Sequence, residues 1–216
     1  PPAQVGWPPL FNATDLAGWA NINCAPETFT VKDGMIHSTG APICEIRTDR
    51  MYENFVLELE YMHQKPMGNA GVFIWADALP ARGQPFLRAI EVQVLDGRNS
   101  ETYTSHGDVF AIHGARLTPD RPHPTGSMRS LPSERRARPA GEWNHYRITA
   151  QNGTIKLAVN GKEAATDALL FNLDGSTLKP LISNPDGSAT LEGTTVKLSD
   201  DAAALLGDLD GMGADT

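Results

Sequence analysis

His145-Tyr146-Arg147-Ile148-Thr149-Ala150-Gln151-Asn152-Gly153-Thr154-Ile155-Lys156-Leu157-Ala158-Val159-Asn160-Gly161 is the stretch on which the fold turns. Two β-rich runs flank Gln151-Asn152-Gly153, and Asn160-Gly161 follows as the next turn. Asn-Gly supplies the consecutive positive-φ residues that a tight hairpin needs to match the right-handed twist of its strands. The stretch therefore reads as a β-meander.

The same grammar recurs upstream. Phe29-Thr30-Val31-Lys32 and Met35-Ile36-His37-Ser38 bracket Asp33-Gly34, a second hairpin signal. Phe55 to Tyr61 alternates apolar and polar residues, and Gly71-Val72-Phe73-Ile74-Trp75 is β-branched and aromatic. Ile90-Glu91-Val92-Gln93-Val94-Leu95, closed by Asp96-Gly97, puts valines on one face and Glu91 and Gln93 on the other. One helix is expected, Ser199 to Leu206, with Ser199 as N-cap, Asp200 and Asp201 in the first turn and Gly207 as C-cap. Many short strands with turns between them predict an all-β sandwich or jelly roll of antiparallel sheets.

Composition agrees. Gly and Pro, at 20 and 16 of 216 residues, exceed the roughly 12% these two average, as frequent turns require. A formal net charge of −8 and a pI near 5.2 leave no electrostatic footprint for nucleic acid or an anionic membrane surface. No run approaches the ~20 apolar residues of a membrane span. Pro1 to Pro9 is an extended lead-in without a charged n-region or apolar h-region, so the chain reads as a mature form. Cys24 and Cys44 are either one disulfide or two buried thiols. The domain is expected to span residues 10–198, with 199–216 as the helix and an acidic tail. Within it, residues 115–139 hold six arginines, among them Arg116 and Arg129, plus several prolines, and read as a long loop.

Several motifs in order carry a resemblance. Leu10-Phe11-Asn12 with Asp15-Leu16-Ala17-Gly18-Trp19, Val31-Lys32-Asp33-Gly34, Tyr52-Glu53-Asn54-Phe55, Gly68-Asn69-Ala70-Gly71, Glu91 to Asp96, and Pro139-Ala140-Gly141-Glu142-Trp143-Asn144 resemble the 3-keto-disaccharide hydrolase family. The likeness covers about residues 10 to 165 and departs after Thr166. It implies a concanavalin-like jelly roll, export (secreted or periplasmic), and cleavage of a glycoside whose C3 hydroxyl has become a ketone. Such a ketone acidifies C2–H, and the C1 oxygen is placed to leave by elimination. That chemistry asks for a base, a stabiliser of the enolate oxygen, and an acid for the leaving group.

Candidates for those roles follow. Glu91 and Gln93 share a sheet face that is either ordinary solvent-facing strand or the floor of a sugar site; the resemblance favours Glu91 as acid or base. His106, Asp108 and His113 lie within eight positions, flanked by Gly107 and Gly114, and read as an acid/base group, half of a divalent-metal site, or loop hydrogen bonding. No metal ligands are assigned, although a divalent ion remains compatible with that cluster. Trp75 and Asp77 offer an apolar plate and a hydroxyl acceptor, or core packing. Asn69 and Arg116 complete the substrate-positioning candidates. The expected partner is a carbohydrate, and a non-catalytic lectin-like module is the alternative.

Overall fold

The computed structural model describes residues 7–96, 106–121, 123 and 128–169, together with strand segments 182–183, 188–191 and 194–197. The chain forms two compact units, Pro1–Leu169 and Leu170–Thr216. No helix occurs among the described residues, and the expected helix at Ser199 to Leu206 lies outside them.

The first unit is an antiparallel β-sandwich. One sheet has five strands in the order β5 (Phe55–Tyr61), β11 (Asn144–Gln151), β12 (Thr154–Val159), β13 (Lys162–Leu169) and β9 (Leu117–Pro119). The other has four: β10 (Arg129–Ser130), β8 (Val109–Ile112), β7 (Ala89–Leu95) and β6 (Asn69–Ile74). Two ribbons precede the sandwich, β1 (Trp19–Ile22) paired with β4 (Glu45–Thr48), and β2 (Phe29–Lys32) paired with β3 (Met35–Ser38). The second unit contains the sheet β14 (Ile182–Ser183), β15 (Ser188–Leu191) and β16 (Thr194–Lys197).

The turn chemistry sets the registers. Gln151 faces Thr154, Val159 faces Lys162, and Lys32 faces Met35, so each loop is two residues long. Their central pairs all have positive φ: Asn152 and Gly153 at 49° and 70°, Asn160 and Gly161 at 49° and 85°, Asp33 and Gly34 at 53° and 73°. Only Asn, Asp and Gly enter that region at little cost.

Register then fixes the core. Ile90, Val92 and Val94 of β7 and Val109 of β8 meet Tyr146, Ile148, Ile155 and Leu157 of the facing sheet, all buried. Each such side chain contributes about 1.5–3 kcal/mol on leaving water. Tyr146 also crosses the core to donate its hydroxyl to Gln93 O at 2.8 Å, tying the five-stranded sheet to β7.

Two sequence expectations change. Residues 115–139 are not one loop, because β9 and β10 lie within them as edge strands of the two sheets; at three and two residues they are too short to show periodicity. The segment from His106 to His113 is not a loop either. Val109-Phe110-Ala111-Ile112 forms β8, and the glycines that suggest a loop sit in the turns at its ends, Gly107 at φ 80° and Gly114 at φ 93°. Cys24 and Cys44 are joined as a disulfide.

Candidate active site

Alternation along β7 points Ala89, Glu91 and Gln93 away from the core. Register aligns Phe73 of β6 with Glu91, Glu91 with Phe110 of β8, and Phe110 with Arg129 of β10. One row thus crosses the outer face of the four-stranded sheet as aromatic, carboxyl, aromatic, guanidinium. In the next row Gly71 faces Gln93. Gln93 is only 3% exposed, its Oε1 accepting the Val94 N–H at 3.0 Å, whereas Phe73, Glu91, Phe110 and Arg129 are half-buried and Gly71 is exposed. A broad cleft of about 2650 Å³ adjoins this face, and its lining takes in the ribbons that precede the sandwich, the segment from Trp7 to Phe11 and β5 of the other sheet. Its wall includes Trp19, Glu45, Trp75, Phe86 and His123, with Glu91, Gln93, Phe110 and Arg129 on the sheet side.

Burial holds the Glu91 carboxyl up at about 7; Arg129 pulls it down and Glu45 pushes it further up. A carboxyl near 7 can both accept and return a proton at neutral pH. Gly71 makes its seat. A methyl group added there would come within 2.3 Å of Glu91 Oε1, so the carboxyl lies where any other residue would put its Cβ. Arg129 lies over the Phe110 ring, 4.5 Å from its centroid, and its Nη1 is 3.6 Å from Oδ2 of fully buried Asp108. A ring on one side and a buried carboxylate on the other restrict where the guanidinium can go.

The remaining sequence candidates disperse. Asp108 lies buried beside Arg129, placed to hold the guanidinium rather than to meet a ligand. His106 stands in a separate cluster with Tyr61 and His63, ring centroids 5.8 and 5.9 Å away. Its Nε2 is buried without a hydrogen-bond partner among the described residues. Burial, with His63 adding to it, lowers the imidazole to about 4, so the ring is neutral at pH 7. His113 sits at the opposite end of β8, exposed, in the turn at φ 51° and 6.2 Å from the Phe86 ring. Neither histidine lines the cleft. Among the described residues no group of three or more His, Cys, Asp and Glu side chains could hold a metal ion.

Asn69, Trp75 and Asp77 do line the cleft. Asn69 is exposed at the start of β6, opposite Leu95. Trp75 donates Nε1–H to Glu53 O at 2.8 Å and packs against the core, while Asp77 takes a two-point ion pair from Arg88 at 3.0 and 3.1 Å. Both tie chain segments together at the cleft wall. Arg116 is exposed and does not line the cleft. Trp143 and Asn144, which match a family motif, divide: Asn144 is buried and bridges to Arg138 N and O, whereas Trp143 is exposed at the rim.

Residues 6–193 match the family described as 3-keto-alpha-glucoside-1,2-lyase-like domain. The chain belongs to that family. The match continues past Thr166, where the sequence motifs depart from the expected pattern, and takes in β14 and β15. A 3-keto-disaccharide hydrolase from Bacteroides thetaiotaomicron is 26% identical over 170 residues, which cover 69% of this chain and 54% of that protein. The chain thus spans about half the length of the curated relative it matches. Two crystal structures of Parabacteroides distasonis proteins assigned as glycosyl hydrolases share the fold. Each is 24% identical, with TM-scores of 0.53 and 0.54, covering 73% and 80% of this chain and 69% and 80% of theirs.

Sequence reading of this family member did not single out Arg129, Glu45, Phe73 or Phe110 as site residues. Arg129 was one of six arginines in an apparent loop, and only pairing with β8 sets it apart from the others. Glu45 lies far upstream in a four-residue strand and reaches the cleft through tertiary packing. Phe73 and Phe110 had a legible signal: each takes the same parity as Glu91 once the strands are paired.

Proposed function

We propose that this chain is an exported enzyme that cleaves 3-keto glycosides by elimination followed by water addition. Glu91 is its acid/base group. The observation that carries this reading is a single one: a half-buried carboxyl raised to about 7 stands between two aromatic residues, in a row that ends on a guanidinium, on the floor of the cleft.

The steps follow from those parts. The Glu91 carboxylate takes the C2 proton, and the electron pair becomes the C2=C3 bond with negative charge on the former ketone oxygen. Arg129, fixed by Asp108 and Phe110, offsets that charge. Collapse of the enolate forms C1=C2 and breaks the C1–O bond; the departing oxygen takes the proton that Glu91 now holds. Water then adds across C1=C2, restoring C2–H and yielding the free 3-keto sugar. Phe73 and Phe110 provide apolar faces for the ring's C–H groups, and Asn69, exposed at the start of β6, provides an amide for its hydroxyls.

The aromatic pair alone would serve a lectin-like module as well. What favours the enzyme is that a carboxyl near 7 can exchange a proton at neutral pH, which binding alone does not require. Incubation with a 3-keto glucoside separates the two: release of the aglycone, lost in Glu91→Gln, supports the enzyme. Binding without any product supports the module.

A further inference from the structure

Glu45 is built into the cleft with unusual firmness for a residue so far upstream. Its Oε1 accepts the Leu87 N–H at 2.8 Å. Two residues along β4, on the same strand face, Arg47 donates Nε–H to Ala78 O at 3.0 Å. Strand β4 is thereby pinned to both arms of the connection between β6 and β7, which Asp77 N–H closes onto Arg88 O at 2.9 Å. On its other side, the neighbouring Cys44 is bonded to Cys24, and Ile22 faces Glu45 across the β1–β4 ribbon. These attachments leave the residue's backbone little freedom.

The carboxyl so held is incompletely satisfied. Glu45 is half-buried, and its Oε2 takes no hydrogen bond among the described residues. Burial correspondingly holds this carboxyl above the usual range, with the Leu87 N–H working against it. Oε2 is not among the fully buried atoms that lack a partner, so it stays open to the cleft and can take a donor from a ligand there. A sugar hydroxyl is such a donor, and its bond to a carboxylate is short and charge-assisted. Glu45 lines the same cleft as Glu91. Its anchor at Leu87 lies two residues before β7, the strand that carries Glu91, and the Glu45 charge acts directly on the Glu91 carboxyl, so the two groups face the same part of the cleft.

We propose that Glu45 is a specificity-determining residue: it accepts a hydrogen bond from a hydroxyl of the keto sugar on the side of the ring away from C2, at C4 or C6. The assignment rests on the reading of Glu91 as the group that acts at C2. With Glu91 at C2, the ring itself carries the opposite hydroxyls toward Glu45. A site that hydrogen-bonds a substrate hydroxyl rejects the analogue lacking it much more strongly than an apolar pocket rejects a missing methylene.

The test is a cycle of Glu45→Gln and deoxygenated substrates. The wild type and the variant are assayed with 3-keto glucoside and with its 4-deoxy and 6-deoxy forms, and the thermal midpoint of each protein is measured. Gln keeps an oxygen for the Leu87 N–H, so the fold is retained; Glu45→Asp, which shortens the reach, serves as a second variant. The proposal expects one deoxy substrate to lose about 10–100-fold in kcat/KM with the wild type, mainly through KM, and under 3-fold with Glu45→Gln. Equal losses in wild type and variant for both deoxy substrates would overturn it. Glu91→Gln is run in parallel. If that variant is inactive while the Glu45 cycle shows no coupling, the hydroxyl contact is wrong and the reading of Glu91 stands. If Glu91→Gln retains full turnover, that reading fails, and the hydroxyl contact assigned relative to it fails too.

Discussion

Glu91→Gln should make the protein more stable and inactive, and the size of the gain should depend on pH in a set way. In the unfolded chain the carboxyl titrates near its ordinary 4.5, and in the folded chain near 7. Native stability is therefore complete below about pH 4.5, falls as pH rises to about 7, and is flat above it. Across that gap, at 1.36 kcal/mol per pH unit, the ceiling is about 3.4 kcal/mol. Water reaches part of the cleft, which reduces the expected cost to ~1–2 kcal/mol. Gln has the same shape and does not ionise, so the variant should gain that amount at pH 8 and nothing at pH 4. For a domain of this size the gain is about 3–6 °C in thermal midpoint. Thermal denaturation of both proteins from pH 4 to pH 8 measures it. The groups that bear on Glu91 are Arg129, which favours its charge, and Glu45, which opposes it, with His123 also on the cleft wall. A midpoint difference that does not change with pH, or one that shrinks as pH rises, would refute the argument that a desolvated charge is kept here at the expense of stability.

Other consequences follow from the same geometry. Gly71→Ala should cut turnover at least 10-fold with a thermal midpoint within a few degrees of wild type, because the added methyl displaces the flexible end of Glu91 rather than backbone. The kcat/KM profile should fall as pH drops below about 7, and in Glu45→Gln that limb should move to lower pH, since Glu45 is among the groups that raise Glu91. Replacing both Cys24 and Cys44 with Ser opens a loop with a sequence separation of 20. Chemical denaturation should show a loss of about 3 kcal/mol, and kinetics should show a raised KM, because β4 carries Glu45. Tyr146→Phe should cost about 1–2 kcal/mol by removing the buried bond to Gln93 O.

The fold was legible where local chemistry decides it. Asp33-Gly34, Asn152-Gly153 and Asn160-Gly161 can hold consecutive positive φ angles, so they fixed three hairpins and their registers. Strands long enough to alternate, such as Phe55–Tyr61 and Thr154–Val159, were readable for the same reason. The four-residue β1, β4 and β8 and the shorter β9 and β10 were not, because their pairing comes from distant partners. The site divided along the same line. Glu91 was legible because it alternates with buried valines. His106 and His113 were grouped by sequence proximity, yet a strand puts them at opposite ends, and Asp108 turns toward Arg129. Proximity in sequence brings residues together within a loop and separates them along a strand.

The central claim is that Glu91 moves the C2 proton of a 3-keto glycoside. Its most direct test is to incubate the protein with a 3-keto glucoside in D2O and follow C2 and aglycone release by NMR at early times. The account predicts deuterium at C2 of the released 3-keto sugar, entering faster than the free sugar exchanges alone, with both exchange and release lost in Glu91→Gln. Aglycone release with C2–H retained, or full activity in Glu91→Gln, would contradict it.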